Sequence, residues 1–433
     1  MTALQFGVEW EEAPRVCTPE LSTTWARLEI QVEGQAISNF FSKTAHSIRS
    51  GVYGSVFPLA RWVVRNWWSL LHEGIRNVSA LRGAHVSRIA DREWLQRHNM
   101  MLAREGHAYP DLSILREDDG VVLRWVADPP DVTTPGRFIE DGSARISRAD
   151  AEEGLARFVE SVLERTTCLN TDAISEMNAD WAAIQESNRS ESTLCARLAA
   201  LGLDPYSAHL TEHTIELLSG SVAMPEHVVR DILAASTDER LVEDLELARL
   251  LLKEVQASPH HYVLDETNST YDPRPYLAGY RRAARVRQTL GLSPEEPVLD
   301  LESVIKNLVG TPEESWLPAN EQRSIDAVVE RNSRCVLAAT KRTDLSKRFL
   351  LARALHHWQF VTRGEANIRL LTRGNDWQQS ASRAFAAELL APAAALASRM
   401  SDDRTWEQPE RLAEAFQVSE FVIAHQIENH GLA

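Results

Sequence analysis

Residues 324–340 read SIDAVVERNSRCVLAAT, and after Lys341-Arg342-Thr343 the chain continues as DLSKRFLLARALHHWQF over 344–360. Ile325 to Glu330 and Cys335 to Ala339 are short β-branched or small apolar runs. Arg331-Asn332-Ser333 separates them, which predicts a pair of strands. Leu345 to Phe360 then predicts a helix. Upstream, Arg274 to Leu290 reads as a basic amphipathic helix and Leu299 to Leu308 as another, stopped by Gly310-Thr311-Pro312. Downstream come a connector rich in Arg and Gly, a helix from Trp377 to Leu390 stopped by Pro392, and two closing helices over Pro409 to Phe416 and Glu420 to Glu428. Residues 271–433 are therefore expected to form one α+β unit.

Two further regions precede it. Residues 1–147 read as a β-rich domain: Leu4 to Trp10 and Trp25 to Val32 alternate. Asp118-Asp119-Gly120 and Glu140-Asp141-Gly142 lie between strand-like runs, as in hairpins. One helix, about Val56 to Gly74, interrupts this region with Leu59, Val63, Trp67, Leu70 and Leu71 on an apolar stripe. Residues 148–270 read as helical. The first helix opens at Ser147 to Asp150 with Leu155, Phe158, Val159, Val162 and Leu163 on one face. The last run, Glu226 to Gln256, is interrupted near Ser236. The expected class is thus α+β, with a β-rich N-terminal domain, a helical middle and a C-terminal α+β domain.

The chain has 433 residues, 46 Lys plus Arg against 62 Asp plus Glu, and a net charge of −16. The whole acidic excess falls in residues 1–270, because 271–433 holds 21 residues of each sign. A generic nucleic-acid binder needs a basic surplus to displace counterions, so direct nucleic-acid binding is not expected. The N-terminal MTALQFGVEWEEAP lacks the basic start and apolar core of a signal peptide. Val52 to Leu71, broken by Pro58, Arg61 and Arg65, is too polar to span a bilayer. Cys17, Cys168, Cys195 and Cys335 show no CxxC spacing, which fits a reducing cytoplasm and argues against a disulfide framework or zinc knuckle.

Five segments in order, PYLAGYRRAARVRQTLGL (275–292), the strand pair, DLSKRFLLARALHHWQF, SASRAFAAELLAPAAAL (380–396) and LAEAFQVSEFVIAHQIENHGL (412–432), resemble the ImmA/IrrE family of zinc metallopeptidases. The likeness spans about 272–433 and its strength lies in the order of the segments; FAAELLAP at 385–392, followed by Val418-Ser419 before the last helix, is the most telling of them. The resemblance implies a zincin-like domain whose helix carries H-E-x-x-H. Two imidazoles at i and i+4 then hold zinc, the Glu between takes a proton from the metal-bound water, and a carboxylate from the next helix is the third ligand.

This chain departs from that pattern. Arg353 stands at the first His position, Ala354 at the Glu position, Leu355 and His356 at the two variable positions, and His357 at the second His. Residues 377–382, where the third ligand is sought, contain no carboxylate; the nearest acids are Asp376 and Glu388. Adjacent helical residues point about 100° apart, so one helix does not easily aim both His356 and His357 at one metal; these two and Glu388 are the weak metal candidates. The Arg353 cation at the vacated position would repel zinc. His356-His357 is therefore read as a partly buried, hydrogen-bonded pair. The expectation is a catalytically inactive, cytoplasmic metallopeptidase-like protein without a cofactor, acting through a protein partner. The resemblance implies a regulatory setting: stress response, mobile-element control or phage defence, beside DNA-binding regulators. One alternative is an active zinc endopeptidase in which Glu388 or Asp376 joins His357. Another is a subunit of a nucleoprotein complex that uses the Arg281, Arg282, Arg285 and Arg287 cluster.

Other residues have milder readings. His260-His261, in the stretch before the C-terminal unit, read as surface residues. Trp67 belongs to the helical stripe and hence to a core, whereas Trp68 is placed equally in the core or on a partner surface. The four-Arg cluster reads as a solvated face, with Arg281, Arg282 and Arg285 as partner-binding candidates. There is no GxSxG and no phosphate-loop motif.

Overall fold

The computed structural model describes residues 3–13, 18–75, 92–130, 134–207, 211–220, 224–256, 272, 274–318, 324–331, 335–340, 342–360, 367–400 and 408–432. The chain divides into two compact units, 1–218 and 219–433.

In the first unit, strands β1 (Leu4–Trp10), β2 (Trp25–Val32) and β3 (Gln35–Ala36) run antiparallel in that order. After β4 (Phe40–Ser42) and β5 (Ser47–Arg49), β6 (Val52–Ser55) also pairs with β2. Strands β7 (Asp111–Glu117) and β8 (Gly120–Val126) form the hairpin expected at Asp118-Asp119-Gly120, with Asp118 at a φ of 54°. The second Asp-Gly does not make one. Strand β9 (Gly136–Phe138) pairs with β4, while β10 (Gly142–Ser147) pairs with β8, so Glu140-Asp141-Gly142 carries the chain from one sheet to another. Asp141 accepts a hydrogen bond from the Ala127 amide at 2.9 Å, which satisfies its side chain at that crossing.

Helix α1 (Pro19–Thr23) is short. The expected helix over 56–74 is broken at Asn66 into α2 (Phe57–Arg65) and α3 (Trp67–His72). After α4 (Arg92–His98) come α5 (Arg148–Arg165), α6 (Asp172–Ser190), α7 (Ser192–Ala200) and α8 (Glu212–Gly220). Ser147 caps α5 by accepting from the Asp150 amide at 3.0 Å. Leu155, Phe158, Val159, Val162, Ile174, Met177, Trp181 and Ile184 share one core with Leu4, Leu28 and Ile30 of the sheet. The α5 backbone lies so close to β1 that a Cβ on Gly154 would stand 2.5 Å from the Leu4 carbonyl oxygen.

In the second unit, α9 (Glu226–Ala235) and α10 (Leu241–Gln256) pack on a sheet with the order β11 (Glu313–Leu317), β13 (Cys335–Thr340), β12 (Ile325–Arg331), β14 (Ile368–Thr372). β11 is parallel to β13 and the other pairs are antiparallel. Helices α11 (Pro275–Thr289), α12 (Leu301–Val309), α13 (Asp344–Gln359), α14 (Trp377–Leu390), α15 (Ala393–Arg399), α16 (Gln408–Phe416) and α17 (Glu420–His430) complete it. The segment 148–270 is thus helical where described but is not a unit of its own. Helices α5 to α7 bury their stripes on the first core, and α10 buries its stripe on β12 and β13. The α+β class is as expected; β11 and β14 were not foreseen. No helix among the described residues is long and apolar enough to cross a membrane.

Candidate functional site

Two capped helices and two strands converge on Arg353. Thr343 starts α13 by accepting from the Ser346 amide, and Asp376 starts α14 by accepting from the Gln379 amide at 2.9 Å. Gly279 lets α11 lie against α14: a Cβ there would stand 2.5 Å from the Ala381 carbonyl oxygen and 2.8 Å from the Ala384 Cβ. β12 carries a register shift opposite β14, since Ile325 pairs with Thr372 and Ala327 with Leu371. Asp326 is the extra residue of that bulge, which is how a strand re-aims one side chain.

Arg353 is buried, and its guanidinium is held from three elements. Nη1 donates to Asp326 Oδ2 at 3.0 Å, Nη2 to the Thr372 carbonyl at 3.0 Å and to Gln379 Oε1 at 2.6 Å, and Nε to Ser382 Oγ at 3.4 Å. Gln379 is fixed in this orientation because its Oε1 also accepts from the Thr372 amide at 2.9 Å while its Nε2 donates to the Leu370 carbonyl at 2.7 Å. Burial draws the Arg353 guanidinium down to about 10, with Asp326 opposing the fall, so it stays a cation at neutral pH. This is an internal ion pair in a low-dielectric setting, completed by hydrogen bonds as such pairs require.

The neighbouring imidazoles are also buried, with ring planes at 84° and centroids 5.2 Å apart, so they do not converge. His356 Nε2 lies 2.8 Å from Arg282 Nη1. A guanidinium only donates, so Nε2 is the acceptor and the proton sits on Nδ1. That Nδ1, and Nε2 of His357, find no partner among the described residues. Burial first, then the Arg282 charge for His356 and the Arg369 charge for His357, hold both rings well below the ordinary histidine range. Both are neutral at pH 7.

A zinc ion does not fit these residues. At the positions that the resemblance implies for the first ligand and the general base stand a guanidinium and the methyl of Ala354, and the α14 side chains that reach Arg353 are the amide of Gln379 and the hydroxyl of Ser382. The His356 lone pair is spent on Arg282. Both acids named in the zinc alternative are engaged elsewhere. Glu388 accepts from Gln426 Nε2 at 2.7 Å and from the Ala393 amide at 3.3 Å, and it pairs with His430 at 3.3 Å. Asp376 is the α14 cap. Among the described residues no group of three or more His, Cys, Asp or Glu could hold a metal ion.

The other candidates divide. The solvated-face reading of the α11 cluster holds for Arg281 and Arg285 but not for Arg282 and Arg287. Arg282 is buried with its guanidinium over the Phe360 and Trp377 rings at 5.2 and 5.1 Å, so it is not a partner-binding residue. Arg287 donates to the carbonyls of Leu389, Ser293 and Glu296, and Arg281 pairs with Asp272. Trp68 is 4% exposed and donates to the Tyr206 hydroxyl at 3.0 Å, which decides it for the core; Trp67 is core as well. His260-His261 lie outside the described residues. Sequence reasoning missed Asp326 and Gln379. The signal for Asp326 was an acid set inside an apolar strand run.

The second unit is thus an α+β domain whose helix α13 and partner strands surround a guanidinium. Residues 321–428 match the Peptidase_M78 family model, the IrrE N-terminal-like domain, so this part of the chain is an ImmA/IrrE-family metallopeptidase-like domain. Helix α11 precedes the matched stretch, although the sequence likeness had been drawn from residue 272. No curated protein matches the chain.

Proposed function

We propose that this protein is a catalytically inactive member of the zincin-like class that works by binding a protein partner, as a sensor or scaffold. The Arg353 cage carries the reading: a permanent cation, neutralised by Asp326, occupies the position from which a metal would be held. Polarising a water molecule needs a Lewis acid or a base there, and an amide, a methyl and a guanidinium supply neither. The family resemblance adds the setting, which is cytoplasmic control in stress response, mobile-element regulation or phage defence. The nucleoprotein alternative loses support because two of the four guanidiniums of α11 point inward.

Metal analysis of the purified full chain, with His357→Ala alongside, tests the inactive reading. The expected result is no stoichiometric transition metal and no chelator-sensitive proteolysis in either protein. Stoichiometric zinc that is lost in His357→Ala would overturn it. Affinity purification from the native host tests the binding half, with a stoichiometric protein partner as the expected result.

A further inference from the structure

Between Lys341 and Arg383 the chain has nine Lys or Arg and three Asp or Glu, a strongly basic stretch in an acidic protein. The structure gathers part of it around one carboxylate. Arg342 Nη2 lies 2.5 Å from Asp326 Oδ1, Arg353 Nη1 3.0 Å from Oδ2, and Arg373 Nε 3.9 Å from Oδ1. Arg383 is near enough for its charge to act on Arg353, and it is fixed by the Gly374 carbonyl at 2.7 Å. Among the described residues, three guanidiniums thus lie within 4.0 Å of one carboxylate, Asp326, a local surplus of two positive charges. Arg353 is sealed inside, whereas the Arg342 and Arg373 side chains are 25% and 60% exposed. The buried Nε of Arg342 has no partner among the described residues. Arg342 directly precedes Thr343, the cap of a 16-residue helix whose N-terminus adds partial positive charge.

We infer that Arg342 and Arg373 form a receptor for a phosphate-class dianion, presented by a phosphorylated residue of the protein partner. Two surplus charges match a dianion, and planar guanidinium forks match phosphate oxygens. A single carboxylate would leave one charge unmatched. The inference rests on the protein-binding reading above, since it names the chemistry that the partner must carry.

Calorimetric titration of the full chain with three ligands (inorganic phosphate, phosphoserine and a phosphoserine peptide) and with a 5′-phosphorylated oligonucleotide for comparison, at constant ionic strength, tests it. Arg373→Gln is the informative variant, because Arg373 is exposed and only loosely paired. Arg285→Gln removes an exposed charge elsewhere and is the control. All three ligands should compete for one site, the peptide should bind tightest, and Arg373→Gln should weaken binding roughly tenfold or more while Arg285→Gln does not. Absence of phosphate binding, or equal loss in both variants, would overturn the site. A peptide no tighter than free phosphate, or a tighter 5′-phosphorylated oligonucleotide, would overturn the protein-borne source. Zinc lost in His357→Ala would instead sink the inactive reading and leave the phosphate result standing, so the two failures are separable.

Discussion

At the scale of single residues, Arg353 sets the chemistry. Its guanidinium ties β12, β14 and α14 to α13. Arg353→Met removes four buried hydrogen bonds and one of the cations paired with Asp326, which keeps Arg342 at 2.5 Å, but the Gln379 and Thr372 acceptors are each left short of a donor. Arg353→Met should therefore cost about 3–5 kcal/mol. Urea unfolding followed by circular dichroism measures this, and a loss below about 1 kcal/mol would show that the cage is not structural. Arg353→Met combined with Asp326→Leu should lose less than the sum of the two single changes, because both remove the same Arg353–Asp326 interaction. Arg353 and Ala354 were legible in the sequence as substitutions in a motif. Asp326 and Gln379 were not, since a bulge and a helix crossing bring them to Arg353 from 27 and 26 residues away.

At the scale of elements, close approach of α11 to α14 positions the site. Gly279→Ala forces a methyl against the Ala381 carbonyl and should destabilise the chain by about 1–3 kcal/mol; a neutral result in the same urea assay would mean that the helices can separate without loss. The frame also predicts a gain of function. Gln379 already touches residue 353, so the triple change Arg353→His, Ala354→Glu, Gln379→Glu places two imidazoles at i and i+4 and a carboxylate facing them. That variant should bind one zinc ion where the parent binds none, read by metal analysis and by cobalt substitution spectra. Failure to bind metal in a folded variant would mean that the frame has drifted beyond ligand geometry. The strand pair and its following helix were readable from local pattern. β14 was not, because Ile368 to Thr372 sits in a stretch whose Arg and Gly content masks its strand character.

At the scale of the molecule, the two units carry opposite kinds of buried titratable group. In the first, Glu73 accepts from Arg97 at 2.6 and 2.8 Å and faces His98 Nε2 at 3.2 Å, while Trp94 stacks on His98 at 4.1 Å. Burial alone would push the Glu73 carboxyl up, but hydrogen bonds from His98 and Arg97 outweigh it and bring the group from 4.5 to about 2. Its stabilising contribution is complete above pH 4.5 and is lost as pH falls toward 2, by on the order of 3 kcal/mol. In the second unit, His356 and His357 are held neutral by burial, below the ordinary 6.5. The unfolded chain takes up protons there that the folded state refuses, so this unit weakens as pH falls below 6.5. Hydrogen exchange at pH 5 against pH 7.5 should show lost protection in 344–359 before 92–98. The reverse order would contradict these assignments.

The sequence alone determined the α+β class, the order of strand, strand and helix in the C-terminal part and the family likeness, because each is written in neighbouring residues within one or two elements. Tertiary structure decided the rest. It divided the helices of 148–270 between two cores, turned Arg282 and Trp68 inward, and surrounded Arg353 with Asp326, Thr372, Gln379 and Ser382. The physical reason is that burial and ion pairing depend on which faces meet in space, and local periodicity says which face is apolar but not what will cover it.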